Sequence, residues 1–286
     1  MPNERPFTVK YWGTRGSIPS PGPDTVRYGG NTTCLEVRCG DQLFVIDGGS
    51  GLRCLGDAII RSAPTKVTFL MSHLHMDHVN GFPFFSPFHG LKNEIELWSA
   101  MHHGSSIEDT LRQLFVQPNF PVTMAMLNAD LKFRVLNPGD TLVFGDVTVR
   151  TILLNHPGDA IGYRMEYDGR SFCHCSDWEH PSGGALDVGL LDFLRGADLS
   201  SLDATYTDDE YEGRSGPVRR GWGHATYDAA VRHAEAAGAR STLLTHHEPS
   251  RTDEELDALA GTLLAARPSV RIVKEGSSFV VGQPLQ

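Results

Sequence analysis

The segment Ser72-His73-Leu74-His75-Met76-Asp77-His78 places four ligand-type side chains within six residues. Imidazoles and a carboxylate at that density can converge on one divalent ion or on two adjacent ones. The apolar run Lys66–Met71 ends where the histidines begin, so the cluster is expected at the C-terminal mouth of a strand. In extended chain His73 and His75 face the same side, and Asp77 and His78 then enter a turn before Gly81. Four ligands cannot close two metal sites, so more are expected at strand ends downstream. Three positions qualify: His156 after Val149–Leu154, Asp177 after Ser171–Cys175, and His246 after Ser241–Thr245. A lone histidine at a strand end is weak evidence; three such positions in series after four are not. Two divalent ions about 3.5–4 Å apart acidify a shared water and clamp the oxygens of an in-line displacement. The chemistry expected is hydrolysis. His247 adjoins His246, and neighbours on a strand point to opposite sides, so only one of the two can ligate the same metal.

The elements that must carry these residues are short and alternate along the chain. Strands are expected at Phe7–Trp12, Cys34–Arg38, Leu43–Ile46, Lys66–Met71 and Glu94–Ser99, then at 131–136, 141–144, 147–154, 160–167 and 170–175, and near 203–206, 241–245 and 270–281. Helical spacing marks Leu52–Arg61 and 105–116, and recurs near 186–195, 225–237 and 252–266. No linker, repeat or low-complexity stretch divides them, which favours one layered α/β domain over residues 1–286. Loops 13–32 and 207–223 are long enough to carry function. A segment at about 100–130, with Phe115, Phe120 and Met124, reads equally as a peripheral hairpin or as a lid that shapes the substrate site.

Composition bounds the partners. Thirty-five acidic residues against 25 basic give a formal charge of −10. That balance disfavours long nucleic acid, whose binding relies on neutralising phosphates, but allows a small anionic substrate in a locally positive pocket. No run is apolar enough for a membrane span. Five scattered cysteines suit a reducing cytosol, and Cys173 and Cys175 read as buried strand rather than ligands. A homodimer is compatible with all of this.

The order His-x-His-x-Asp-His, then His, Asp and His, resembles the metallo-β-lactamase superfamily over nearly the whole chain. The resemblance implies an αββα sandwich. It also implies that His73, His75 and His156 hold one metal, that Asp77, His78 and His246 hold the other, and that Asp177 bridges them with a water or hydroxide. Thr245-His246-His247-Glu248-Pro249 is similar to the family's terminal Thr-His-x-x-Pro, which aligns His246 with the ligand. Asp47, before the Gly48-Gly49 turn, would orient a histidine ligand. His75 stands where diiron members carry an acidic residue, so the resemblance favours two zinc ions, with manganese or iron open. The runs Gly13-Thr14-Arg15-Gly16-Ser17-Ile18-Pro19 and Tyr28-Gly29-Gly30-Asn31-Thr32-Thr33-Cys34, with Gly223-His224-Ala225-Thr226, resemble the phosphodiesterase branch, which includes cyclic phosphodiesterases and ribonuclease Z.

That resemblance implies a metal-dependent hydrolase of a small cyclic or compact phosphodiester, with Asp77 and Asp177 required. The competing readings are tRNA 3′ processing, a lactonase, thioesterase or β-lactamase, and a non-catalytic regulatory member. His224 is expected to protonate the departing alkoxide, histidine being a side chain able to carry a proton near neutrality; its competing role is to cap the helix that follows. Arg219 and Arg220, on the preceding loop, could reach phosphate oxygens. Gly29-Gly30-Asn31-Thr32 could offer N–H groups and an amide to the same phosphate. His89, His102, His103, His174, His180 and His233 are expected to be surface or packing histidines. His102 and His103 are the strongest candidates for exceptions, because they precede the 105–130 insertion.

Overall fold

In a computed structural model, which describes residues 5–61, 64–265 and 267–285, the chain builds two seven-stranded mixed sheets. β1 (Phe7–Gly13), β2 (Cys34–Cys39), β3 (Gln42–Ile46), β4 (Lys66–Leu70), β5 (Glu94–Ser99) and β6 (Asp130–Val135) lie in chain order across the first sheet. β7 (Thr141–Phe144), β8 (Val147–Leu154), β9 (Ala160–Tyr167), β10 (Arg170–Cys175), β11 (Leu199–Asp203), β12 (Thr242–Thr245) and β13 (Val270–Ile272) do the same across the second. β14 (Ser278–Val280) returns to the first sheet beside β1. In each sheet one half is antiparallel and the other parallel: β3 to β6 run parallel, as do β10 to β13.

Burial explains the pairing. β1 alternates buried and half-buried positions, as a strand with one covered face does, whereas β11 and β12 are buried throughout. The sheets pack face to face: Val9, Val37 and Phe44 of the first meet Val149, Met165 and Leu243 of the second in one core. α1 (Leu52–Ile59), α2 (Met76–Val79) and α3 (Ile107–Leu114) lie with the first sheet; α4 (Val188–Leu194), α5 (Asp208–Tyr211), α6 (Tyr227–Ala236) and α7 (Asp253–Leu264) follow in the second half. Leu52 and Leu55 of α1 and Leu111 of α3 cover the outer face of the first sheet. Leu190, Val231 and Leu256 cover that of the second. The layers are αββα, as the resemblance implied.

Two expectations need correction. The strand placed near 203–206 is Leu199–Asp203. Its serines disguise it: Ser200 meets the Thr242 hydroxyl at 2.9 Å, and Ser201 accepts from the Tyr11 hydroxyl at 2.6 Å, so both are buried without penalty. The single strand expected at 270–281 is two strands in different sheets, separated by a turn in which Gly276 adopts a φ of 85°. The expected helix at 252–266 ends at Leu264, and position 266 lies outside the described residues.

A candidate metal centre

Every prospective ligand except Asp77 and His78 follows a strand directly. His73 and His75 follow β4, His156 follows β8, Asp177 follows β10 and His246 follows β12. α2, one turn long, carries Asp77 and His78 back over the same rim. His73, His75 and His156 form one group, and Asp77, His78, Asp177 and His246 a second; within each, the ligand atoms lie within 4.8 Å of one another. His75 Nδ1 is 2.8 Å from His73 Nε2 and 3.2 Å from His156 Nε2. Asp177 joins the halves: Oδ1 is 3.8 Å from His73 Nε2 and 3.3 Å from His246 Nε2, while Oδ2 is 3.2 Å from His78 Nε2.

The rear nitrogens are already committed. His78 Nδ1 faces Asp47 Oδ2 at 2.9 Å, His156 Nδ1–H donates to the Gly223 carbonyl at 2.9 Å, and His73 Nδ1 sits 3.1 Å from the Ser72 hydroxyl. Such contacts set the tautomer that aims Nε2 at a metal. His78 Nε2 and His246 Nε2 are buried with no hydrogen-bond partner among the described residues. Each lies 3.2–3.4 Å from carboxylate oxygens of Asp77 and Asp177. Orphaned nitrogens converging with two buried carboxylates fit a cation. His247 points away and bonds the Val273 carbonyl through Nε2 at 2.8 Å, so His246 is the residue at the centre.

Asp47, Asp177 and His246 all have φ near +60°. Non-glycine residues rarely adopt it, and such strain gathers where function over-determines the backbone. Two glycines allow close approach from either side. A Cβ on Gly16 would fall 2.3 Å from the His246 ring, and one on Gly223 would fall 2.3 Å from His156 Nδ1. Ser17 N–H, next to Gly16, donates to Asp77 Oδ2 at 2.7 Å.

Electrostatics divide the halves. Burial, reinforced by the neighbouring imidazoles, holds His73, His75 and His156 below the usual histidine range, so they are neutral and ready to ligate. Burial acts the same way on His78 and His246, but Asp177 and Asp77 outweigh it; His78 is raised and His246 is pushed up to about 9. In the metal-free protein these protons neutralise the carboxylates. His246 holds its proton below about pH 9 and loses it as pH rises through that value, His78 holds its own above the usual histidine range, and metal must displace both. Loading both ions at pH 7.5 should release on the order of two protons, with affinity rising from neutrality toward pH 9. Calorimetric titration in buffers of different ionisation enthalpy measures this; no net proton release would contradict it.

Asp203, at the end of β11, was not among the expected residues. It is fully buried, takes His224 Nδ1–H at 2.8 Å, and accepts from the backbone of Asp177, Thr205 and Ala225. His224 thereby stands 3.9 Å from Asp177 Oδ1. The helix it precedes is capped by Thr226, whose side chain accepts from Ala229 N at 3.1 Å, so His224 is not the cap. Glu179 was also missed. It gathers the Tyr211 hydroxyl and the N–H groups of Gly221 and Gly223 within 2.7–2.8 Å, pinning loop 207–223 and the carbonyl that holds His156. An acid two residues beyond Asp177 was the only available signal.

The proposed phosphate contacts fare unevenly. Asn31 gives its amide to Glu275 and accepts from Ser50, while Thr32 exchanges hydrogen bonds with Ser50 through its N–H and hydroxyl, so both hold the 13–32 loop together. Arg220 is paired with Glu212 at 2.6 Å on the surface. Arg219 lies over the rings of Trp222 and Tyr206, has no ion pair among the described residues, and is one ring from His224. His89 is exposed, and His174 and His233 are bound within the core.

A family model described as a beta-lactamase superfamily domain matches residues 45–247. The chain belongs to the metallo-β-lactamase superfamily. It is a hydrolase of that superfamily, with a His/Asp metal site. Ribonuclease BN of Cronobacter sakazakii is 22% identical, the alignment covering 96% of this chain and 99% of that one. A diphosphatase of the PhnP family superposes with a TM-score of 0.69 at 18% identity over 98% and 100% of the two chains. Zinc-bound PqqB of Methylobacterium extorquens gives 0.69 at 13% over 95% and 99%. Such structural likenesses speak to the fold. No described helix is long and apolar enough to cross a membrane.

Proposed function

We propose that the protein is a two-metal, zinc-dependent phosphodiesterase for a small cyclic or otherwise compact phosphodiester. The observation that carries this reading is the placement of His224, held by Asp203, 3.9 Å from the carboxylate shared by both metal groups. Two divalent cations held there would acidify a water and stabilise charge on the phosphoryl oxygens. His73, His75 and His156 would hold one ion, Asp77, His78 and His246 the other, and Asp177 would contribute to both. Asp203 accepts from His224 Nδ1–H, and in the doubly protonated ring the Nε2–H would pass to the departing oxygen, leaving the neutral Nδ1–H tautomer. Arg219, pinned over Trp222 and Tyr206, supplies a cation beside that step. A ribonuclease and a diphosphatase among the similar proteins agree with phosphorus–oxygen cleavage.

Metal-replete protein should hydrolyse bis-p-nitrophenyl phosphate well ahead of p-nitrophenyl phosphate, a lactone and a β-lactam, by about tenfold or more, which is about 1.4 kcal/mol of barrier. A monoester dianion asks for more positive clamping than one free arginine gives. Faster lactone turnover would overturn the reading. The ribonuclease relatives favour tRNA 3′ processing as the second reading, against a formal charge of −10. A precursor tRNA in the same screen separates the two.

A further inference from the structure

Glu179, beyond the end of β10 and two residues after Asp177, is only 8% exposed. With no ion-pair partner among the described residues, its carboxylate is held by donors alone. The Tyr211 hydroxyl and Gly221 N–H reach Oε1 at 2.7 Å each, and Gly223 N–H reaches Oε2 at 2.8 Å. Such surroundings suit a carboxylate, which only accepts, and not an amide, which must also donate. What these contacts hold is His156. The Gly223 carbonyl can only accept, so His156 Nδ1, 2.9 Å away, carries the proton. Nε2 is then the lone-pair atom, 3.2 Å from His75 Nδ1 and 3.9 Å from Asp177 Oδ1. The main chain of Glu179 grips the residue before His156 as well. Its N–H donates to the Asn155 carbonyl at 2.9 Å, and its carbonyl accepts from the Asn155 side chain at 3.0 Å. The other half of the centre is braced elsewhere: Asp77 by Ser17, His78 by Asp47, and His246 by Thr205.

We propose that Glu179 is a positioning residue for His156, and that it makes loop 207–223 and the three-histidine half one cooperative unit. A closed loop aims His156 Nε2 at the metal, and a metal held there keeps the loop closed. By linkage the two effects are equal in free energy. The inference rests on the two-metal part of the reading above and is independent of its substrate.

Glu179→Gln keeps size and burial but cannot serve every donor. If its oxygen takes Gly223 N–H, its N–H₂ meets Gly221 N–H, and the reverse placement meets Gly223 N–H. Either way a buried N–H is left unmet and the loop loosens. In metal-free protein the His156 Nδ1–H resonance, sheltered by the Gly223 carbonyl, should be present in the wild type and lost to water exchange in Glu179→Gln. Zinc is then added against a competing chelator, with the His156 ring signal following one half and the His246 ring signal the other. The substitution should weaken zinc at the three-histidine half by about 10–100-fold, the usual effect of losing a contact that orients a ligating histidine. The other half should be unchanged. If the variant misfolds, hydrogen exchange in the wild type carries the same test. Zinc should raise protection of the Gly221 and Gly223 amides by the same factor and leave the Asp140 amide, in the turn before β7, as it was. A persistent His156 Nδ1–H signal in the variant, equal effects at both halves, or unaltered protection of the two glycines would each overturn the proposal. Wild-type protein that takes fewer than two zinc ions would count against the two-metal reading, and the metal-free His156 signal would still decide the role of Glu179.

Discussion

Asp177→Asn should bind at most one metal ion per chain and lose about a thousandfold or more in turnover. Asp177 is the one ligand whose two oxygens face both halves of the site. An amide offers a neutral oxygen and an N–H₂ in its place, so the second half keeps Asp77 alone as anion against His78 and His246. The lost transition-state stabilisation from paired metals, about 4 kcal/mol or more, corresponds to that factor. Asn is the informative replacement because Asp177 sits at a φ of 58°, which asparagine tolerates and alanine does not. The fold should survive, since the main-chain bond to Asp203 is untouched. Elemental analysis and initial rates measure the outcome, with Asp57→Asn on the exposed face of α1 as the neutral control. Two ions per chain with wild-type turnover in Asp177→Asn would remove Asp177 from the centre.

The residues that gather into the two metal-ligand groups were legible because of where they stand. Each of His73, His156, Asp177 and His246 follows an apolar run that cannot be anything but buried strand, and strand ends in a layered fold collect at one rim. Asp203 stands at such an end too, yet it escaped notice because Leu199–Asp203 is rich in serine and hydrophobic periodicity ignores buried hydroxyls. Their partners, Tyr11 and Thr242, lie far along the chain. Placing the strand at 203–206 set Asp203 at its start, whereas it ends the strand and so stands at the rim. The last strands erred in the opposite direction: a run of β-formers over 270–281 looks continuous, and only the Glu275-Gly276 turn marks the crossing between sheets.

Asn31 and Thr32 show a different limit. An amide and a hydroxyl in a glycine-rich turn have the right chemistry for phosphate, but residue type does not show which groups are already taken. Glu275 lies 244 residues away and consumes the Asn31 amide. The same holds for Arg220, whose charge is spent on Glu212, and in reverse for Arg219, left free by stacking on aromatic rings.

His224→Ala should keep both metals and lose about 10²–10⁴-fold in kcat, the usual contribution of a placed proton donor. His224 is not a ligand of either group as assigned, and Thr226 caps α6 without it. Asp203 loses one partner but retains the N–H groups of Asp177, Thr205 and Ala225, so the buried carboxylate stays solvated by the backbone. Stability should fall by about 1 kcal/mol, the net worth of one such bond. Leaving-group dependence separates proton donation from any other effect. An alkoxide is strongly basic and needs the proton as the bond breaks; p-nitrophenolate leaves without one. The loss should therefore be large for an alkyl diester and small for bis-p-nitrophenyl phosphate. Asp203 and His246 leave one further role for His224, because Asp177, Asp203, His224 and His246 could themselves gather around a cation. In that case His224→Ala would lose metal and would slow both substrates equally, and elemental analysis with the two rates distinguishes the outcomes.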